Sequence, residues 1–110
     1  MAKFIKGDIV VVSFPFSDLS QIKKRPAFVV NKLNGNDIIL CQITSQTIRD
    51  KYSISIQKTD FAFGNLSVNS NIRPNRIFTA DRNIIFYKVG SIKENKTKEV
   101  IQKIIEIIKS

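Results

Sequence analysis

The sequence predicts a mainly β or α+β protein, a small β-barrel or strongly twisted antiparallel sheet closed by one C-terminal amphipathic helix. Three observations carry that reading. Short β-branched and aromatic runs recur along most of the chain, each bounded by turn residues. An Asn-Gly pair sits between two of them, a hairpin signal. Only the last segment carries a helical apolar period. The 110 residues contain no repeat, low-complexity stretch or long linker, and residues 1–110 are read as one domain. A domain of this size buries roughly two-thirds of its unfolded surface.

The elements follow in chain order. Ile9-Val10-Val11-Val12 opens a strand that ends near Phe14, with Pro15 capping it. Ser17 to Lys24 is polar, with Asp18 suited to an Asx-type turn, and reads as a loop. Pro26 to Val30 is extended, with Pro26 at the first strand position, where a missing N–H is tolerated. Asn34-Gly35-Asn36 then predicts a type I′ turn into a strand from Ile38 to Ile43. Tyr52, Ile54 and Ile56 alternate with Ser53, Ser55 and Gln57, as in a half-exposed strand. Ser70 to Thr79 is a further strand, in which Pro74 marks an edge or a bend. Asp81 caps a short turn before Ile84-Ile85-Phe86. Ser91-Ile92-Lys93-Glu94 fits a capping box, and after it Val100, Ile101, Ile104, Ile105, Ile107 and Ile108 share one helical face. Five or six strands and one helix result.

Composition narrows the chemistry. There is no histidine and a single cysteine, Cys41. An imidazole base, a Ser-His or Cys-His pair, a His-ligated metal and an internal disulfide are therefore excluded within one chain. Cys41 lies inside an apolar run and reads as a buried small hydrophobe. The six aspartates are scattered, so no metal site and no cofactor are expected. Eighteen Lys+Arg oppose nine Asp+Glu, a net charge of +9. Such an excess favours an anionic partner, with nucleic acid first and an acidic protein segment second. No apolar run approaches a membrane span and Lys6-Gly7-Asp8 interrupts any signal-peptide core, so a cytoplasmic protein without membrane attachment is expected.

Two segments attract notice. Lys23-Lys24-Arg25-Pro26 places three cations at a junction, and the tetrad Thr44-Ser45-Gln46-Thr47 follows the strand ending at Ile43. Counted outward from the Asn34-Gly35 hairpin, Arg25 and Thr44 reach the same end of the strand pair and share one rim. A guanidinium beside a hydroxyl suits a phosphate, the first giving bidentate charge and the second a directional donor. The plain alternative is a surface charge and a strand-end residue, which spacing alone favours.

The chain also resembles a known family. Gly7-Asp8-Ile9-Val10, Phe14-Pro15-Phe16-Ser17-Asp18-Leu19, Lys24-Arg25-Pro26-Ala27-Phe28-Val29-Val30 and Ile43-Thr44-Ser45-Gln46 follow one another as in the MazF/PemK family of toxin–antitoxin ribonucleases. Gly64-Asn65-Leu66, Ser70-Asn71-Ile72-Arg73-Pro74 and Ile77-Phe78-Thr79-Ala80-Asp81 look like its later strand. The resemblance implies an SH3-like barrel that forms a homodimer and cuts single-stranded RNA without a metal. It assigns catalysis to Arg25 and Thr44, and supporting RNA contacts to Lys23, Lys24, Ser45, Gln46, Ser70 and Arg73. The reaction implied is attack of a ribose 2′-OH on the adjacent phosphate. A cognate antitoxin with an acidic or amphipathic disordered segment is the implied protein partner. Where several relatives carry a glycine-rich stretch, this chain has Ser20-Gln21-Ile22-Lys23-Lys24, so no cleavage sequence carries over. Phe61 and Phe63 read as core or interface packing before base stacking. A non-catalytic binder on the same barrel, such as a gyrase inhibitor of the CcdB type or a degenerate member retaining only RNA or antitoxin binding, is the competing reading.

Overall fold

The computed structural model describes residues 3–15 and 22–110. Among them the chain forms seven strands and one α-helix: β1 (Asp8–Pro15), β2 (Ile22–Lys32), β3 (Asp37–Thr44), β4 (Ile54–Ile56), β5 (Phe61–Gly64), β6 (Ser70–Asp81), β7 (Ile85–Ile92) and α1 (Glu94–Lys109). Short 3₁₀ turns at Lys58–Asp60 and Arg82–Ile84 join β4 to β5 and β6 to β7. The strands make one antiparallel sheet in the order β4-β6-β3-β2-β1-β7-β5. The predicted mainly β class with a C-terminal helix is what forms, with more strands than the sequence suggested.

The sheet curls because its two ends share a core. Ile54 and Ile56 of β4 and Phe61 of β5 belong to one buried cluster with Ile9, Phe28, Cys41, Ile43, Ile72 and Ile92. Val100 and Ile104 of α1 plug the same cluster. On the opposite face of β1, β2 and β3, Val10, Val12, Ala27, Val29, Ile38 and Leu40 form a second cluster beside Phe4, Phe78 and Ile85. Both faces of these central strands are thus covered. That is why Ile9–Val12 and Ala27–Val30 read as unbroken apolar runs instead of alternating ones.

Several local expectations are corrected. The strand β2 begins at Ile22, so Lys23 and Lys24 are strand residues and Pro26 is its fifth position, not its first. The remainder of the predicted loop, with Asp18, lies outside the described residues, as do Phe16-Ser17-Asp18-Leu19. The β2–β3 connection is the four residues 33–36, closed by the Leu33 amide donating to the Asp37 carbonyl at 2.9 Å. Gly35 has φ +78° while no described non-glycine residue has positive φ, so the turn is not type I′, which needs Asn34 there too. The Asn36 carbonyl instead accepts from the Arg82 amide at 2.8 Å, docking the loop on the 3₁₀ turn after β6. Tyr52 precedes β4, which is only three residues long.

Ser91 does not cap the helix. It lies within β7, paired with Asp8 and Phe63, and α1 starts three residues later behind Lys93, whose side chain makes no capping bond. The demand for ladder partners on both sides of β7 outweighs the local capping preference. Of the predicted helical stripe, Val100 and Ile104 are buried, whereas Ile105 and Ile108 are exposed. Asp81 does cap, its carboxylate accepting from the Asn83 amide at 2.8 Å. Pro74 marks a bend as expected: the β3–β6 register jumps between Cys41↔Ile77 and Ile43↔Ile72, leaving Pro74 outside both of the β6 ladders. Cys41 is fully buried, and burial pushes its thiol up to about 12.

Candidate nucleic-acid interface

The ladder between β2 and β3 ends at Ala27↔Gln42. Continued by two residues, its register would set Arg25 opposite Thr44. Pro26 has no N–H to offer a ladder, and the cavity opens where pairing stops. Arg25, Pro26, Gln42, Ile43 and Thr44 line it from the two strands, joined by Gln46, Ile48 and Arg73, around a volume of about 180 Å³. Arg25 remains paired on its other side through Val12 of β1, and Thr44 through Asn71 of β6. Both side chains therefore stand on strands held by the sheet, which limits their freedom before any ligand arrives.

Thr44 is fixed further by the loop that follows it. Its Oγ1 accepts from the Gln46 amide at 3.2 Å, which leaves the hydroxyl proton to donate elsewhere. The Gln46 carbonyl in turn accepts from the Asn71 side chain at 3.0 Å. Asn71 thus clamps the residue whose amide orients the threonine. Sequence reasoning misses it because Asn is common in this chain, and its partner is 25 residues away.

A second cavity, of about 260 Å³, shares Arg25, Pro26 and Ile43 as its wall and continues past Ser45, Ser70, Val68 and Tyr87. Lys24 lines it, with its ammonium 4.8 Å from the centre of the Phe86 ring. Ser70 is buried and its hydroxyl donates to the Val68 carbonyl at 3.1 Å, so its polar atom is engaged within the protein. Lys23 is exposed on β2 and lines neither cavity. Phe61 packs in the core while Phe63 is exposed. The structure thus gathers Arg25, Thr44, Gln46 and Arg73 in one cavity and Lys24, Ser45 and Ser70 in the adjoining one.

Arg73 is paired with Asp50, Nη2 lying 3.5 Å from the carboxylate. Asp50 caps its own loop, accepting from the amides of Tyr52 and Ser53 at 2.9 Å each. The Ser53 and Tyr52 amides, with lesser help from Arg73, hold its carboxyl below the usual carboxylate range. Among the described residues no three His, Cys, Asp or Glu side chains converge as a metal cluster would need, and no helix is long and apolar enough to cross a membrane.

A concave, cationic, hydroxyl-bearing site at the splayed end of two strands of a curled sheet suits a phosphodiester. The chain belongs to the family of PemK-like, MazF-like toxins of type II toxin–antitoxin systems, whose model matches residues 5–108. Solved structures agree on the fold. MazF from Deinococcus radiodurans superposes with a TM-score of 0.75 at 17% identity, over 96% of each chain. A mycobacterial endoribonuclease in complex with its cognate antitoxin gives a TM-score of 0.75 at 10% identity, covering 97% of this chain and 96% of its own. The Mycobacterium tuberculosis toxin MazF-mt6 gives 0.69 at 12% identity, over 91% and 93%. No curated protein sequence matches the chain.

Proposed function

We propose that the protein is an endoribonuclease toxin that cuts single-stranded RNA without a metal ion. The observation that carries this is the meeting of Arg25 and Thr44 in one cavity, within a family of toxins whose structural relatives include endoribonucleases. In the reaction a ribose 2′-oxygen loses its proton and bonds to the adjacent phosphorus. The bond from phosphorus to the 5′-oxygen breaks, and that oxygen takes up a proton. The products carry a 2′,3′-cyclic phosphate and a 5′-OH. Arg25 neutralises charge on the pentavalent phosphate through two parallel donors. It is not the base, because its guanidinium stays protonated. Thr44 orients the 2′-OH or a phosphate oxygen with its free hydroxyl proton. Lys24, Ser45, Gln46 and Arg73 extend the contact across the two adjoining cavities, Lys23 adds charge at its margin, and Ser70 supports the wall from within.

The working form is a homodimer, and the second partner is a cognate antitoxin whose disordered acidic segment lies over the cationic groove. Such a segment needs apolar anchors as well as charge, since its ordering entropy opposes binding.

The test is end-group analysis of single-stranded RNA incubated with metal-free protein and EDTA. Cyclic phosphate and 5′-OH ends are expected. Arg25→Ala should lose about 2–4 kcal/mol of transition-state stabilisation with its fold intact, and Arg25→Lys should recover little of it, since one ammonium cannot reproduce the fork. Cleavage that disappears with EDTA and returns with magnesium would overturn the mechanism.

A further inference from the structure

We propose that Asp50 is a positioning residue of this site, holding Arg73 as the second phosphate-contacting guanidinium beside Arg25, a role that rests on the RNA-cleaving reading above. Residues 45–53 run from β3 to β4 and are tied to β6 at two places. Asn71 holds the Gln46 carbonyl and Arg73 meets Asp50. These β6 residues are two apart, so they project from the same side of the strand. The Asp50 carboxylate is fixed first by the two amides of its own turn. It is therefore an anchor for Arg73 rather than a side chain adapting to it.

The pairing is incomplete in an informative way. Asp50 takes Nη2 of Arg73, while Nε is buried with no acceptor among the described residues. A buried donor left unmatched is unfavourable, and the same guanidinium lines the cavity beside Arg25, where an anionic oxygen would balance its charge. Among the described residues, the charged side chains lining that cavity are Arg25 and Arg73. Asp50 is not among the lining residues, so it acts on a substrate through Arg73.

The sign of one measurement separates this role from simple electrostatics. Removing a carboxylate near a polyanion site ordinarily tightens binding. A positioning role reverses that, because the released guanidinium no longer meets the phosphate. In Asp50→Asn, Oδ1 still accepts from both amides, so the fold should survive with only the small loss that neutralising the carboxylate brings, and Asp50→Ser offers those amides an oxygen too if the first variant fails to fold. With a mixed-sequence single-stranded RNA as substrate and its 2′-O-methylated form as the binding probe, Asp50→Asn should lose roughly tenfold in kcat/KM. It should also bind the probe more weakly. Arg73→Gln should lose as much, and the double variant no more than Arg73→Gln alone. The salt slope of probe binding should become shallower by about 0.7 for each phosphate that is no longer neutralised. Binding by Asp50→Asn that equals or exceeds wild type, or losses that add in the double variant, would overturn the proposal. If wild type and Arg25→Ala behave as required while Asp50→Asn fails in this way, only the positioning role falls. A wild-type protein that neither binds nor cuts the RNA removes the cleavage reading and the positioning role together.

Discussion

Burial separates the single residues that serve packing from those that serve chemistry. Cys41 belongs to packing: it is fully buried between apolar neighbours on β3, and its thiol is pushed up to about 12 by desolvation. An unfolded chain releases that proton near pH 8.5. Between the two values the folded state holds more protons than the unfolded one, so the stabilising contribution is complete below about 8.5 and declines as pH rises towards 12. Cys41→Ala should therefore cost about 1 kcal/mol near neutrality through a small void and lose less stability than wild type between about pH 8 and pH 10. Urea titrations of both proteins at the two pH values check this; parallel losses would show that the thiol is not responsible. Asp50 has the opposite sign. Its carboxyl lies below the usual range, so the stability it lends is present above about pH 4 and fades as acid protonates it.

At the scale of elements, glycine geometry separates a turn from a seam. Gly35 and Gly64 both have positive φ, +78° and +74°. A Cβ on Gly35 would meet nothing within 4 Å, whereas one on Gly64 would overlap the Val89 carbonyl and the Gly90 backbone across the β5–β7 pairing. Gly35→Ala should therefore cost about 1 kcal/mol, from backbone conformation alone. Gly64→Ala should cost clearly more and free the amides of β5 to exchange hydrogen, which native-state exchange measures. Equal costs for the two would refute the seam argument. This distinction is not legible in the sequence, because Gly64 and Gly90 are distant in the chain. What is legible there has short-range causes or rides on register. β-branched runs locate most strands, the 3.6-residue period locates α1, and counting from the β2–β3 turn puts Arg25 and Thr44 on one rim even though the turn is not of the expected type. What is not legible involves long-range competition. Asn36 bonds to Arg82, Ser91 is drawn into β7, and the Asn71 and Asp50 contacts join β6 to a loop that propensity cannot place.

For the whole molecule, the +9 charge has to be read with the position of its acids. Asp8, fully buried, is paired with Lys88 at 3.1 Å, and Asp60 with Lys96 at 3.8 Å. Association with single-stranded RNA should weaken steeply with salt, by about 0.7 in log K per phosphate neutralised for each tenfold rise. An acidic antitoxin segment should compete with RNA for the same groove, as fluorescence anisotropy with labelled RNA can report. A ternary complex saturated by both ligands would rule out a shared site. The arrangement of the sheet has a consequence of another kind. Its outermost strands are three and four residues long, joined to one another through Gln57 and a single 3₁₀ turn, and folded over the same core. A chain so rich in isoleucine and strand would otherwise offer a long unpaired border on which further copies could add strand by strand. Those short strands cover only Ser70–Ile72 of β6 and Gly90–Ile92 of β7, so along the rest of both strands the charges of Arg73, Arg76 and Lys88 are what discourage a further copy from adding.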